Sequence, residues 1–341
     1  MKHHLSSHKM KPQDKSEGGY RIRVTKSNFP ALQGMSFYKL VLHKKCIREP
    51  HWHANADELG YCLKGKLLIS IYGNKNAKET FLINEGGAFF IPSGSLHSIE
   101  NIGNDTAEVI LQFSHEEPED FGLSSVFGMF SDAVLGNTWD VLAKNFRAMK
   151  RVRKESFIAV LKNNTPITKD MEYTSAYQFE LEESSPLIAN VGGAAKVARN
   201  NVWPILERQA LYSLLLTGEG MREPHWHPET AEMGYVAKGK GRMSIQSPSG
   251  NVDTYNMAEG DIYFIPKAYP HHIENLESSD LHLLIYFDQS MPQDIGFTAS
   301  VKSSSDEVLA GIMHCNREVF QNLPTYYEDL FIVKKKNPLD K

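Results

Sequence analysis

Cysteine is scarce in this chain. Its 341 residues include three, Cys46, Cys62 and Cys315, an odd and scattered set that excludes a disulfide framework. Cys46 and Cys62 sit in apolar, strand-like runs and read as small buried hydrophobes. A reducing, cytoplasmic setting fits that usage. Long apolar runs are missing too: none approaches the roughly 18 residues of a spanning helix, so no membrane partner is expected. Nor is there an excess of one charge. Lys and Arg number 37 against 41 Asp and Glu, a net −4, which leaves no basic footprint for nucleic acid. The basic residues from Lys144 to Lys154 read as a solvated helix face. Residues 1–17 lack the apolar core of a secretory signal. With His3, His4 and His8 among polar neighbours, they read as a flexible tail.

What is present is a repeat. Arg48-Glu49-Pro50-His51-Trp52-His53, then Glu58 and Gly65, returns as Arg222-Glu223-Pro224-His225-Trp226-His227, then Glu232 and Gly239. His97 and His271 follow, and every pair stands 174 positions apart. The same offset links Gly18-Gly19 to Gly192-Gly193, Phe113 to Phe287, Asp120 to Asp294 and Ser131-Asp132 to Ser305-Asp306. A period this long is a duplicated domain rather than a solenoid. With 41% apolar and 23% charged residues, the chain can build a core in each copy.

Within each copy the texture is all-β. Short alternating or β-branched runs, such as 36–42, 67–72 and 79–83, are separated by Gly-Asn, Gly-Lys and Pro-Ser-Gly turns. That pattern predicts a sandwich or small barrel per copy. Ser131 and Ser305 are placed to cap short helices, and 139–161 reads as a helix. The expected organisation is a tail (1–17), a first barrel (18–143), a helix and connector (144–191), a second barrel with a C-terminal helix (192–333), and a tail (334–341).

On a strand, positions i and i+2 share a face. His51 and His53 therefore project together while Trp52 points away. Glu58, five residues further on, has the wrong parity for the same straight strand, so 54–57 must turn and return it from the next strand. A Pro-Gly turn, Pro92 and Gly94, aims His97 inward. His225, His227, Glu232 and His271 repeat the arrangement, and His272 falls outside the set. Three imidazoles and a carboxylate without thiolate suit Mn(II), Fe(II), Ni(II) or Cu(II) better than structural zinc. Four protein ligands leave two octahedral positions open.

These residues resemble the cupins, in particular the two-domain germin-like group that includes oxalate decarboxylase. The resemblance covers Gly18 to about Met313. It implies two tandem cupin jelly-roll barrels with short flanking helices, Mn(II) in each barrel with Fe(II) as the alternative, and a homotrimer or homohexamer. It implies a small carboxylate substrate, oxalate, converted to formate and CO2 with O2 as co-catalyst, with the first barrel the more reactive. Arg48 and Arg222 stand where a guanidinium would hold the far carboxylate; the alternative is pairing with Glu49 and Glu223.

The lid departs from the family. Where a Ser-Glu-Asn-Ser type motif would supply a proton carrier, this chain has Ser114-His115-Glu116-Glu117-Pro118-Glu119-Asp120. Asp120 falls at the lid-acid position, with turn capping as the alternative because Asp294 repeats it. Glu116, Glu117 and Glu119 are further acids of the same loop. Leu284-Ile285-Tyr286 lacks the late glutamate of some relatives. Two other readings stand beside the decarboxylase: an oxidase or dioxygenase on a small acid, and a non-catalytic metal-binding or storage cupin.

Overall fold

A computed structural model describes residues 2–74, 78–172 and 174–337. It divides into two compact units, one of Met10–Glu180, the other of everything from Leu181 together with the N-terminus up to Lys9.

In the first unit the expected runs become the strands Ser36–Leu42, Lys66–Tyr72 and Lys78–Asn84. All pairings are antiparallel, in two sheets. One runs Asp120–Gly122, Cys46–His53, Leu96–Asn101, Lys66–Tyr72, Lys78–Asn84, with Ile158–Val160 along the free stretch of Cys46–His53. The other runs Gln178–Phe179, Ala88–Ile91, Glu58–Lys64, Ala107–Phe113, Ser36–Leu42, Gly19–Val24, Asp14–Ser16. Leu40, Ile69, Phe81, Phe89, Val109 and Phe113 bury themselves in the core, the burial that drives the fold. Two antiparallel sheets closing on one core in this way form a jelly roll. Gly65, at φ +100°, links Glu58–Lys64 to Lys66–Tyr72; a Cβ there would sit 3.0 Å from that of Ala107, so glycine suits the link on both counts.

The second unit repeats this plan. Its sheets run Val252–Ala258, Lys240–Gln246, His271–Asn275, Gly220–Trp226, Ile295–Gly296, and His4–Ser6, Asp261–Ile265, Glu232–Lys238, Leu281–Phe287, Ala210–Leu216, Gly193–Ala198, Ile188–Asn190. Ile332–Lys334 pairs with Gly220–Trp226, as Ile158–Val160 does in the first unit.

Two expectations are corrected. The N-terminus is not a flexible tail: His4 pairs with Tyr263, Leu5 with Ile262 and Ser6 with Asp261. An open sheet edge leaves N–H and C=O groups unpaired, and this three-residue strand satisfies them. His4 adds a contact from Nε2 to Asp261 Oδ2 at 3.0 Å and stacks on Tyr255. In the first unit the corresponding edge takes Gln178–Phe179. The second correction is the helix over 139–161. Helix Asp132–Thr138 does begin at Ser131, which accepts from Val134 N–H, but Asp140 turns left-handed at φ 53°. Only a short 3-10 segment, Ala143–Phe146, follows. Arg147, Lys150, Arg151 and Lys154 would stack like charges at helical spacing with no acid among them, which disfavours helix. Ser305 caps Asp306–Met313 as expected. The expected C-terminal tail divides: Lys334 ends a strand, and 338–341 lie outside the described residues.

Deleting residues 2–9 exposes that edge and removes about 1–3 kcal/mol of hydrogen bonding. For a domain of this size the melting temperature should fall by several degrees. An unchanged melt would show that the arm does not hold the sheet.

Candidate metal centres

The strand Cys46–His53 alternates as expected: His51 and His53 are buried, while Trp52 is half-buried and stacks on Phe121. His97 pairs opposite His51, with a register shift between His97 and Ile99 that re-aims the chain. Glu58 comes from the other sheet, opposite Phe113 and Ile91. The turn over 54–57 thus does what parity required. Ser93 N–H bonds the Asp57 carboxylate and Gly94 N–H bonds the His53 carbonyl, tying the Pro-Gly turn to it.

The four expected ligands of each copy converge, and all eight are buried. In each set the ligand atoms lie within 4.8 Å of one another. Each ring has an acceptor at Nδ1: Glu49 O for His51 at 2.8 Å, Ser95 O for His97 at 2.9 Å and Asp120 Oδ1 for His53 at 2.8 Å. The acceptors favour the Nδ1–H tautomer and turn the Nε2 lone pairs inward, as metal-binding histidines require. His225 and His271 use Glu223 O and Tyr269 O in the same way. His227 Nδ1 faces Gln293 O at 3.0 Å and Asp294 Oδ1 at 2.7 Å.

The arrangement fits a divalent cation. Glu58 Oε1, His97 Nε2 and His271 Nε2 are buried and make no hydrogen bond with the described residues. Such orphaned polar atoms are costly, and these three belong to the proposed cages. Burial raises the Glu58 carboxyl, but His97 and His53 outweigh it and hold it at about 2. His51 is pushed well below the usual imidazole range by burial and then by Arg48. His53 and His227 shift the other way: burial lowers them, but Asp120 with Glu58, and Asp294 with Glu232, raise them, so a metal taking their Nε2 displaces a proton. His272 stays outside, near Glu274.

The other candidates are placed as follows. Arg48 is 2% exposed. It donates from Nη1 to Phe157 O at 3.2 Å and from Nη2 to Glu155 Oε2 at 3.0 Å, and its guanidinium lies over the Phe157 ring. Asp120 Oδ2 is 3.6 Å from Nη2. Arg222 similarly reaches Phe331 O at 3.0 Å and Asp294 at 3.1 Å, over the Phe331 ring. Neither arginine pairs with the neighbouring glutamate among these contacts. Glu49 instead accepts from Ser124 N–H at 2.9 Å and Phe157 N–H at 2.7 Å, and Glu223 from Thr298 N–H at 2.9 Å and Phe331 N–H at 2.6 Å. Each pins a helix start and a crossing segment over the metal strand. Phe157 and Phe331 adopt left-handed φ of 67° and 61°.

Asp120 lies between His53 and two arginines, Arg21 and Arg48. Burial raises its carboxyl, but His53, Arg21 and Arg48 together hold it far below the carboxylate range. Arg21 reaches Asp120 at 2.6 Å and Asp14 at 3.0 Å. Asp120 Oδ1 stands at the Nδ1 of His53 and orients that ring. Glu117 accepts from Ser27 N–H and Oγ; burial raises its pKa, but Ser27 and then Thr25 bring it below the usual value.

Sequence reasoning missed Arg21, Glu155 and the structural use of Glu49. A signal existed for one of them: Phe157-Ile158 repeats as Phe331-Ile332 at the 174 offset, with Glu155 opposite Asp329.

The Cupin family profile matches residues 6–147 and 179–315. The chain belongs to the cupin family. Two copies make it a bicupin, of the group that holds germins and oxalate decarboxylases. It is 29% identical over 292 residues to the oxalate decarboxylase OxdC of Bacillus subtilis, covering 82% of this chain and 74% of that one. A probable oxalate decarboxylase of Arthroderma benhamiae is 25% identical, covering 90% and 77%. A germin-like protein of Arabidopsis thaliana, subfamily 2 member 5, is 29% identical over 138 residues, covering 38% and 62%. In structure, the Bacillus subtilis oxalate decarboxylase at pH 4.6 superposes with a TM-score of 0.88 at 24% identity, covering 98% of this chain and 88% of that one. Among the described residues no helix is long and apolar enough to cross a membrane.

Replacing His97 or His271 with Ala should each lower bound divalent metal from two ions per chain to one, and the double variant should bind none. Elemental analysis of dialysed protein reads the outcome; undiminished metal in either single variant would exclude that cage.

Proposed function

We propose that the protein is a manganese-dependent carboxy-lyase of the oxalate decarboxylase type, converting hydrogen oxalate and a proton to formic acid and CO2, with O2 as co-catalyst. The carrying observation is the buried Arg48 guanidinium, set three positions before a cage of three imidazoles and one carboxylate. Relatives named oxalate decarboxylases along most of the chain support the same substrate class. When bound, manganese supplies Lewis-acid and one-electron chemistry.

The chain's own residues do the rest. Arg48 already holds one carboxylate, Glu155, with Asp120 at its flank. A dicarboxylate entering the mouth exchanges one carboxylate partner for another, so the guanidinium is never left unpaired, which would be costly. The first barrel is the better candidate for this exchange. In the second, Asp329, the counterpart of Glu155, is bound to Gly296 and Ala299 N–H groups. His53 keeps its orientation through Asp120. A glutamate released from Arg48 is available to return the proton to the reacting carbon. Exposed apolar side chains of the short helices, Val134 and Trp139 in one unit and Val308 and Ile312 in the other, support assembly into a homotrimer or homohexamer.

A second reading has its own observation. Asp120 is held by Arg21 and lies against His53; where the loop delivers no proton, the product radical is oxidised, and oxalate, O2 and two protons give two CO2 and hydrogen peroxide. That is the oxidase outcome.

Manganese-loaded protein given labelled oxalate under air, in mildly acid to neutral buffers, should release formate and CO2 in equal amounts. Arg48→Lys should lower kcat/KM roughly 10- to 100-fold, the worth of a charged hydrogen-bond pair. Peroxide in place of formate would establish the oxidase, and neither product would overturn both.

A further inference from the structure

Each cage glutamate has two carboxylate oxygens, and the two barrels treat the second one differently. Oε2 behaves alike in both. From Glu58 it lies 2.8 Å from His53 Nε2 and 3.4 Å from His97 Nε2; from Glu232 it lies 2.8 Å from His227 and 3.5 Å from His271. Oε1 does not. Glu232 Oε1 accepts from the Tyr263 hydroxyl at 2.7 Å, within the buried interior. At the position 174 residues earlier the chain has Phe89, and Glu58 Oε1 makes no hydrogen bond with the described residues.

The two rings occupy the same place. Phe89 pairs with Gly60 as Tyr263 pairs with Gly234. A Cβ added to Gly60 would fall 2.1 Å from Phe89 Cζ, and one added to Gly234 would fall 2.1 Å from Tyr263 Cζ. Each ring therefore lies flat on a glycine that leaves it room, with its Cζ end fixed. One phenolic oxygen separates the two environments. Tyr263 is fully buried, and its strand is the one covered by the N-terminal arm, where it pairs with His4.

We propose that Tyr263 is a positioning residue that restricts Glu232 to one-oxygen coordination, making the second barrel's metal centre more rigid and slower to exchange than the first. The inference rests on reading both cages as manganese sites. In the first barrel Phe89 leaves the second oxygen of Glu58 free to approach or leave the ion as other ligands come and go. In the second barrel the phenol holds that oxygen away. The first barrel is thus the adaptable centre, the second the one that retains its ion.

The test uses the full chain loaded with Mn(II). Tyr263→Phe removes only the oxygen, and Phe89→Tyr installs it in the first barrel. Release of Mn(II) to a chelator should be biphasic in the wild type. Tyr263→Phe should speed the slow phase roughly 10-fold or more, the usual effect of losing a partner that orients a ligand, and Phe89→Tyr should slow the fast one. The electron paramagnetic resonance spectrum should change at one centre only, and the signal lost in His271→Ala identifies it as the second barrel's. Melting curves of the metal-free variants check that both are folded. Unchanged release and spectra in both folded variants would overturn the proposal. A wild-type chain that takes up no Mn(II) would instead defeat the metal reading on which it rests.

Discussion

Four short hydrogen bonds orient both cages. His51, His97, His225 and His271 each present Nδ1 to the carbonyl two residues before, on Glu49, Ser95, Glu223 and Tyr269. A bond so local needs no distant partner. Wherever the strand forms, the ring is already turned, and only Nε2 remains to face the barrel interior. The third imidazole of each set, on His53 or His227, lies beside an aspartate that follows the barrel strands in sequence. Its orientation depends on the completed barrel.

That division explains what could be read from the sequence. The ligands were legible because period-two alternation and a 174-residue repeat are properties of the chain itself. The Glu58 turn followed from parity. Arg21 was not legible, since its counterpart is Ala195; Glu155 left only the trace of its counterpart Asp329, and its contact with Arg48 spans 107 positions. The N-terminal strand was missed because three residues are too few to show alternation, and its pairing answers the needs of an edge elsewhere in the chain. The helix expected over 139–161 gives way because Arg147, Lys150, Arg151 and Lys154 would repel one another at helical spacing.

Duplication preserved the cages and altered what surrounds them. Arg21 corresponds to Ala195, Glu155 to Asp329, and Phe89 to Tyr263. The first barrel gathers two arginines and two acids at its mouth. In the second, Arg222 lies on Asp294, Arg199 lies over Tyr212, and a phenol stands inside. Identical donor sets thus sit in different electrostatic settings, a difference a ligand motif cannot express.

The left-handed phenylalanines carry a mechanical implication. Non-glycine residues in that conformation cost on the order of 1–3 kcal/mol and persist only when their neighbours compel it. At Phe157 the compulsion comes from Glu49 on its N–H and Arg48 on its carbonyl. Phe157 is thereby gripped on both of its polar atoms, and its unfavourable backbone geometry lasts only as long as Glu49 and Arg48 both keep hold.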